Sequence, residues 1–182
     1  MKKLIFTTGL LLLPFISSQA WSACADTGSV STIADTDGCT SVITLAIPQL
    51  VTVKNLVDID LGTYVSGSDE SDNVNFCIGT NSAAGVTVTF TSANDPTNVG
   101  DFNLAGTTVT TDLIPYNLQF TDAANATTAT VTSGATISTT GVETLACGAD
   151  ASNIQVDVLA TDIDAAGDVA YQDTITITVS PN

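Results

Sequence analysis

The sequence predicts an all-β protein, and three observations carry that reading. Apolar residues alternate with polar ones in many short runs, and no stretch of ten residues keeps a helical period. The composition favours Thr, Ser, Ala, Val and Gly, which suits strands and turns. Clusters of Gly, Asn, Asp and Ser separate the runs at short spacing, as in a sandwich of antiparallel strands. Hydrophobic residues make up 44% of the chain but aromatics only 5%, so an aliphatic core is expected.

The chain opens with Met1-Lys2-Lys3, a basic head, followed by an apolar stretch from Leu4 to Ile16. Ser18-Gln19-Ala20 then places small residues at the −3 and −1 positions of a cleavage site. Residues 1–20 therefore read as a bacterial secretory signal, with Trp21 as the mature N-terminus. A lipoprotein leader with Cys24 lipidated is the alternative, but Trp21 stands where Leu is expected. The expected organisation is a signal peptide at 1–20, an N-terminal segment at 21–39 and one β-sandwich at 40–182.

Residues 43–61 carry a long period-2 signal. Ile43, Leu45, Ile47, Val51, Val53, Val57, Ile59 and Leu61 all fall on odd positions, with Thr and Asp frequent between them. One oily face and one wet face are expected, with a bend or change of partner at Pro48 and Asn55. Residues 66–72 read as a loop and 74–78 as a strand. Residues 85–91 alternate Val and Phe with Thr, and Asn94-Asp95-Pro96 marks a turn. Further strands are expected at 101–104, 113–120, 127–132, 142–147, 153–159 and 173–180. Residues 123–141, rich in Thr and Ala, give the weakest signal. The sum is a sandwich of immunoglobulin-like type.

Charge removes whole classes of function. The chain has 19 Asp+Glu, three Lys+Arg and no His, for a net charge of −16. Without Lys2 and Lys3, Lys54 is the sole basic side chain. Nucleic-acid binding needs Lys and Arg to displace counterions from phosphate, so no nucleic-acid partner is expected. A His base, a His ligand or an Arg clamp is impossible. Ser and Thr have no His to activate them, so no catalytic residue is assigned and an enzyme is not expected. Asp35-Thr36-Asp37, Asp69-Glu70-Ser71-Asp72 and Asp162-Ile163-Asp164 with Asp168 could offer oxygen ligands to calcium. None completes an EF-hand loop, and they read as solvated acidic loops. No metal or cofactor is therefore assigned.

Cys24, Cys39, Cys77 and Cys147 form an even set in an exported chain, which suggests two disulfides. The preferred pairing is Cys24–Cys39 and Cys77–Cys147. Cys39–Cys77 is the rival, and it would leave Cys24 to Cys147.

Several segments together resemble the spore-coat-U-like domain shared with archaic-type chaperone–usher pilins. Asp60-Leu61-Gly62-Thr63-Tyr64 resembles its "FG-x-Y" segment, and Asn75-Phe76-Cys77 its strand ending in Cys. Ile114-Pro115-Tyr116-Asn117-Leu118 resembles an "L-x-Y-x-L" strand followed by Asp122. Ala166-Gly167-Asp168-Val169-Ala170-Tyr171-Gln172-Asp173-Thr174-Ile175-Thr176-Ile177-Thr178-Val179 resembles the family's terminal "G-x-Y-x-D-T-(apolar)-T-(apolar)" strand. These landmarks span residues 40–182 in the family's order. Leu61 stands where the family has Phe.

The resemblance implies an incomplete immunoglobulin-like sandwich that another molecule's strand completes, first a periplasmic chaperone's and then a neighbouring subunit's. It implies an exported structural subunit of a surface fimbria, handled by a chaperone and an outer-membrane usher and serving adhesion or biofilm formation. A run ending at Pro181-Asn182, just after an alternating strand, fits that expectation. The donor candidate is Ile43, Leu45 and Ile47, with Val30 and Ile33 a poorer choice upstream. The competing expectation is a self-complete, monomeric secreted domain for adhesion or calcium binding, in which residues 40–47 form the first strand.

Overall fold

A computed structural model describes residues 42–95 and 100–182. The signal segment, Val30, Ile33, Asp35, Asp37 and the cysteines Cys24 and Cys39 lie outside the described residues. The chain divides into two units, Met1–Ile47 and Pro48–Asn182. In the first, residues 42–47 have no regular secondary structure. Their apolar side chains face solvent, with Ile43 94% and Leu45 83% exposed.

The second unit is the β-sandwich. Its strands are β1 (Val51–Lys54), β2 (Glu70–Thr80), β3 (Val86–Ser92), β4 (Phe102–Gly106) and β5 (Leu113–Thr121). They continue with β6 (Thr128–Val131), β7 (Thr136–Thr139), β8 (Ser152–Val158), β9 (Tyr171–Gln172) and β10 (Ile175–Pro181). One helical turn, α1 (Ala160–Ile163), follows β8. The larger sheet runs β1-β2-β8-β5-β4-β9, with β6 added to β5, and the smaller runs β10-β3-β7. Every pairing between these strands is antiparallel.

Strict alternation on β3 and β8 buries every second residue, which gives each sheet one apolar face. The centre is less aliphatic than the composition suggests. Phe76, Phe90, Phe102 and Phe120 are all buried, and Phe120 touches both Phe76 and Phe90 at ring-centroid distances of 6.3 and 5.4 Å. The few aromatic rings are concentrated where volume is most needed. A disulfide joins Cys77 on β2 to Cys147, with Cα atoms 5.6 Å apart.

Four local expectations need correction. The alternating run 43–61, expected to be strand with a bend or change of partner at Pro48 and Asn55, is paired only over Val51–Lys54. Asn55 takes a left-handed backbone (φ 62°), which ends the pairing, and residues 42–50 are exposed rather than half-buried. The strand expected at 142–147 is a single bridge, Glu143 to Gly79, followed by a turn with Cys147 at φ 55°. There the Glu143 carboxylate accepts from the backbone N–H groups of Gly148, Ala149 and Ala151, and those bonds hold its pKa down. Residues 70–72, read as loop, begin β2. Finally, the weak region 123–141 contains β7, whose Thr139 hydroxyl donates to the buried Asp122 carboxylate at 2.7 Å.

Candidate functional site

The open feature of the sandwich lies beside β10. Its neighbour is β3, in the register Ile175↔Ser92 through Pro181↔Val86. Beyond the two ends of that ladder, the Ala93 N–H donates to the Thr174 carbonyl and the Asn182 N–H to the Gly85 carbonyl. Backbone groups of alternate residues point to opposite sides of a strand. Even-numbered residues of β10 therefore bond to β3. Ile175, Ile177 and Val179 turn their backbone N–H and C=O groups to the other edge, where no strand pairs among the described residues.

The same three residues aim their side chains inward, yet they are only half-buried. Their counterparts on β3, Ser92, Phe90 and Val88, are buried. The missing cover leaves a groove of about 600 Å³. Ile175 and Ile177 form one wall, Ile59 and Leu61 the other, and Leu104, Ile154 and Val156 the floor. An edge with unmet backbone groups and an apolar bed is a template for an added strand.

The far wall, residues 56–62, is unpaired but pinned at both ends. The Asn55 side-chain amide donates to Asp150 Oδ1 at 2.7 Å. At the other end the Gly62 N–H donates to Asp60 Oδ1 at 2.9 Å, with Gly62 at φ 79°. The Tyr64 hydroxyl then donates to Asp164 Oδ1 at 2.7 Å; desolvation first, and this bond second, raise its pKa. Such a wall holds its distance from β10 without bonding to it.

At the start of β10 the groove has a polar stop. Asp173 Oδ2 accepts from the Tyr116 hydroxyl at 2.6 Å and from Ser92 Oγ at 2.7 Å. Burial, reinforced by Asp173, pushes the Tyr116 phenol far above its ordinary pKa. A second cavity of about 450 Å³ adjoins the first, sharing Leu61, Leu104 and Tyr171 with it. Asp112 secures its rim, accepting from the Tyr171 hydroxyl and from the N–H groups of Gly167 and Asp168. Asp168 in turn accepts from the N–H groups of Thr108 and Val109. These bonds hold both carboxyls below the usual carboxylate range, the Tyr171 bond leading at Asp112 and the Val109 bond at Asp168.

The motif residues singled out in the sequence gather here. Leu61, Gly62, Tyr116, Tyr171 and Asp173 line the groove, and Tyr64 lines the adjoining cavity. Within the two described acidic clusters, several carboxylates are engaged with the chain's own donors. Asp69 accepts from the Ala160 N–H, and Asp164 from Tyr64 and Ser66. Among the described residues, no group of three could hold a metal. Ile43, Leu45 and Ile47 are exposed in their own unit. The incomplete sandwich was expected, but the far wall of its groove was not legible, because Val57, Ile59 and Leu61 look like the continuation of a strand. The bend expected at Asn55 is present, as a residue in the left-handed region.

No protein-family model matches the chain, and no curated protein sequence does either. Among solved structures, it is similar to a chain of a chaperone–tip adhesin complex of CFA/I fimbriae biogenesis. The TM-score is 0.55 at 20% identity, covering 72% of this chain and 41% of that one. Matching also extends to CfaE, the adhesive subunit of the CFA/I fimbria of enterotoxigenic Escherichia coli. There the TM-score is 0.45 at 17% identity, covering 66% of this chain and 39% of that one. The chain thus spans about two fifths of the length of the chains it matches. The first likeness is one of fold, and it bears out the all-β sandwich.

Proposed function

We propose that the chain is an exported structural subunit of a surface fimbria that polymerises by donor-strand exchange and supports adhesion or biofilm formation. The carrying observation is the edge of β10, where unpaired backbone groups and half-buried Ile175, Ile177 and Val179 occur on the same residues. A foreign strand with alternating aliphatic side chains would satisfy both needs at once, which is β-augmentation. Ile43, Leu45 and Ile47 supply that pattern, and their exposure makes them available.

The likeness to a chain of a chaperone–tip adhesin complex supports a periplasmic chaperone as first partner, with an outer-membrane usher and further subunits following. The spore-coat-U-like motifs support the same assignment, since they build the groove. The test is a chain extended past Asn182 by a short turn and a second copy of residues 42–49. That strand should fill the groove from within, giving a monomer that no longer polymerises and melts at a higher temperature. An extended chain with unchanged melting and assembly would overturn the proposal.

A further inference from the structure

The larger sheet turns a second face to solvent, away from the core and the groove. Register places its outward side chains in rows across the strands. Asn75, Asn153, Thr121 and Thr128 form one row over β2, β8, β5 and β6. Asn73, Gln155, Gln119 and Thr130 form the next. Ser71, Asp157 and Asn117 form the third.

The side chains on this face are ordered by one another. The Asn153 amide donates to Asn73 Oδ1 at 2.9 Å and to Asn75 Oδ1 at 2.7 Å. Gln155 donates to Asp157 Oδ1 at 2.7 Å and Gln119 to its Oδ2 at 3.3 Å. Asp157 is the sole acid in the three rows, and its oxygens face these amides. A chain of net charge −16 thus presents here a flat face of primary amides and hydroxyls.

We propose that this amide face is a lateral self-association surface, meeting the same face of a second copy of this chain. Three properties favour a second copy. Like-charged copies repel wherever their acidic loops meet, so close approach needs a face nearly free of charge. An amide both donates and accepts, so the face is complementary to its own image across a two-fold axis. The mutual bonds also fix the rotamers beforehand, which lowers the entropy lost on contact. A sugar is less well served, since no aromatic ring lies in these rows and both described cavities lie elsewhere.

Size sets how the surface works. Four strands about 4.8 Å apart, read over three rows about 6.8 Å apart, give roughly 400 Å². A stable dimer needs about 800 Å² per partner. One pair of copies therefore separates, while copies joined in series hold through multiplicity. The inference rests on the polymer proposed above for that multiplicity in use, and its outcome is side-by-side bundling of fibres. The face points away from the groove, so strand donation leaves it free.

The test supplies multiplicity without strand exchange. The full chain carrying Leu45→Asp, which disables donation between particles, is attached at high density to beads through its C-terminus. Beads should clump in 0.15 M salt. Adding Asn73→Asp, Asn75→Asp and Asn117→Asp, which keep shape and acceptors, should cut clumping tenfold or more. High salt should restore it by screening. Thr110→Glu, Ala124→Glu and Asn125→Asp add equal charge in exposed loops and should leave clumping unchanged. Should the triple variant melt early, Asn117→Asp alone should still reduce clumping severalfold. The proposal is overturned if the parent beads stay dispersed, if both face variants clump like the parent, or if clumping needs an added neutral polysaccharide. Failure of fibre growth with intact clumping would count against the donor strand instead.

Discussion

Replacing Leu45 by Ala separates the donor role of residues 42–47 from any role in their own fold. Leu45 is 83% exposed, so nearly its whole side chain is available for burial in a neighbour's groove. Burying a Leu contributes roughly 1.5–3 kcal/mol, of which Ala keeps a small part, so the loss is about 2 kcal/mol per junction. That corresponds to roughly 30-fold weaker subunit association. The lone chain should melt at an unchanged temperature, because little Leu45 surface is covered there. Ile177→Ala should differ. Its side chain is half-buried against the core, so it should lower both the melting temperature and the strength of association. Calorimetry of the lone chain and sedimentation of assembled material over a concentration series measure the two effects. A fall of several degrees in the lone Leu45→Ala chain, or association indifferent to the change, would refute the reasoning.

Other expectations follow from the pinned walls and the cross-link. Reducing Cys77–Cys147, or replacing both residues by Ala, opens a loop of roughly 70 residues and should cost about 4 kcal/mol, read as a lower denaturation midpoint. Asp112 and Asp168 have folded-state pKa values below their unfolded ones. Their stabilisation is present above the unfolded value of about 3.9 and is lost as pH falls below it. Melting temperature should therefore drop on acidification through pH 4, and less steeply in Tyr171→Phe, which removes the leading cause at Asp112. Gly85→Ala should destabilise by roughly 1–3 kcal/mol in chemical denaturation, since φ 80° disfavours a side chain and the added carbon meets the Thr139 carbonyl. Calcium should leave the melting temperature unchanged, because Asp69, Asp164 and Asp168 already accept from protein donors.

Strands whose alternation is backed by a packed face were legible in the sequence. The core strands β3, β5 and β8 lie within a residue of the expected limits, since period-2 patterning and one-sided burial are the same fact seen twice. The failures share another cause. Residues 56–62 alternate like a strand, but pairing is a property of two segments, and Asn55 turns this one away from the ladder. Residues 142–147 looked apolar enough for a strand, yet the Glu143 carboxylate and the disulfide impose a turn. β7 was hidden in a Thr-rich stretch whose partner, β3, lies far away in sequence. The motif residues could be picked out before the structure, but not what they build together. A groove is an absence of partners, and no single segment records it.

The claim that β10 has an empty edge is tested most directly by residue-resolved amide exchange, in the lone chain and in the assembled form. Parity makes the expectation sharp. Thr176, Thr178 and Ser180 bond to β3 and should be protected in both states. Ile177 and Val179 should exchange quickly in the lone chain and become protected by orders of magnitude on assembly. Equal protection of odd and even amides in the lone chain would mean that the edge is already filled, contradicting the account.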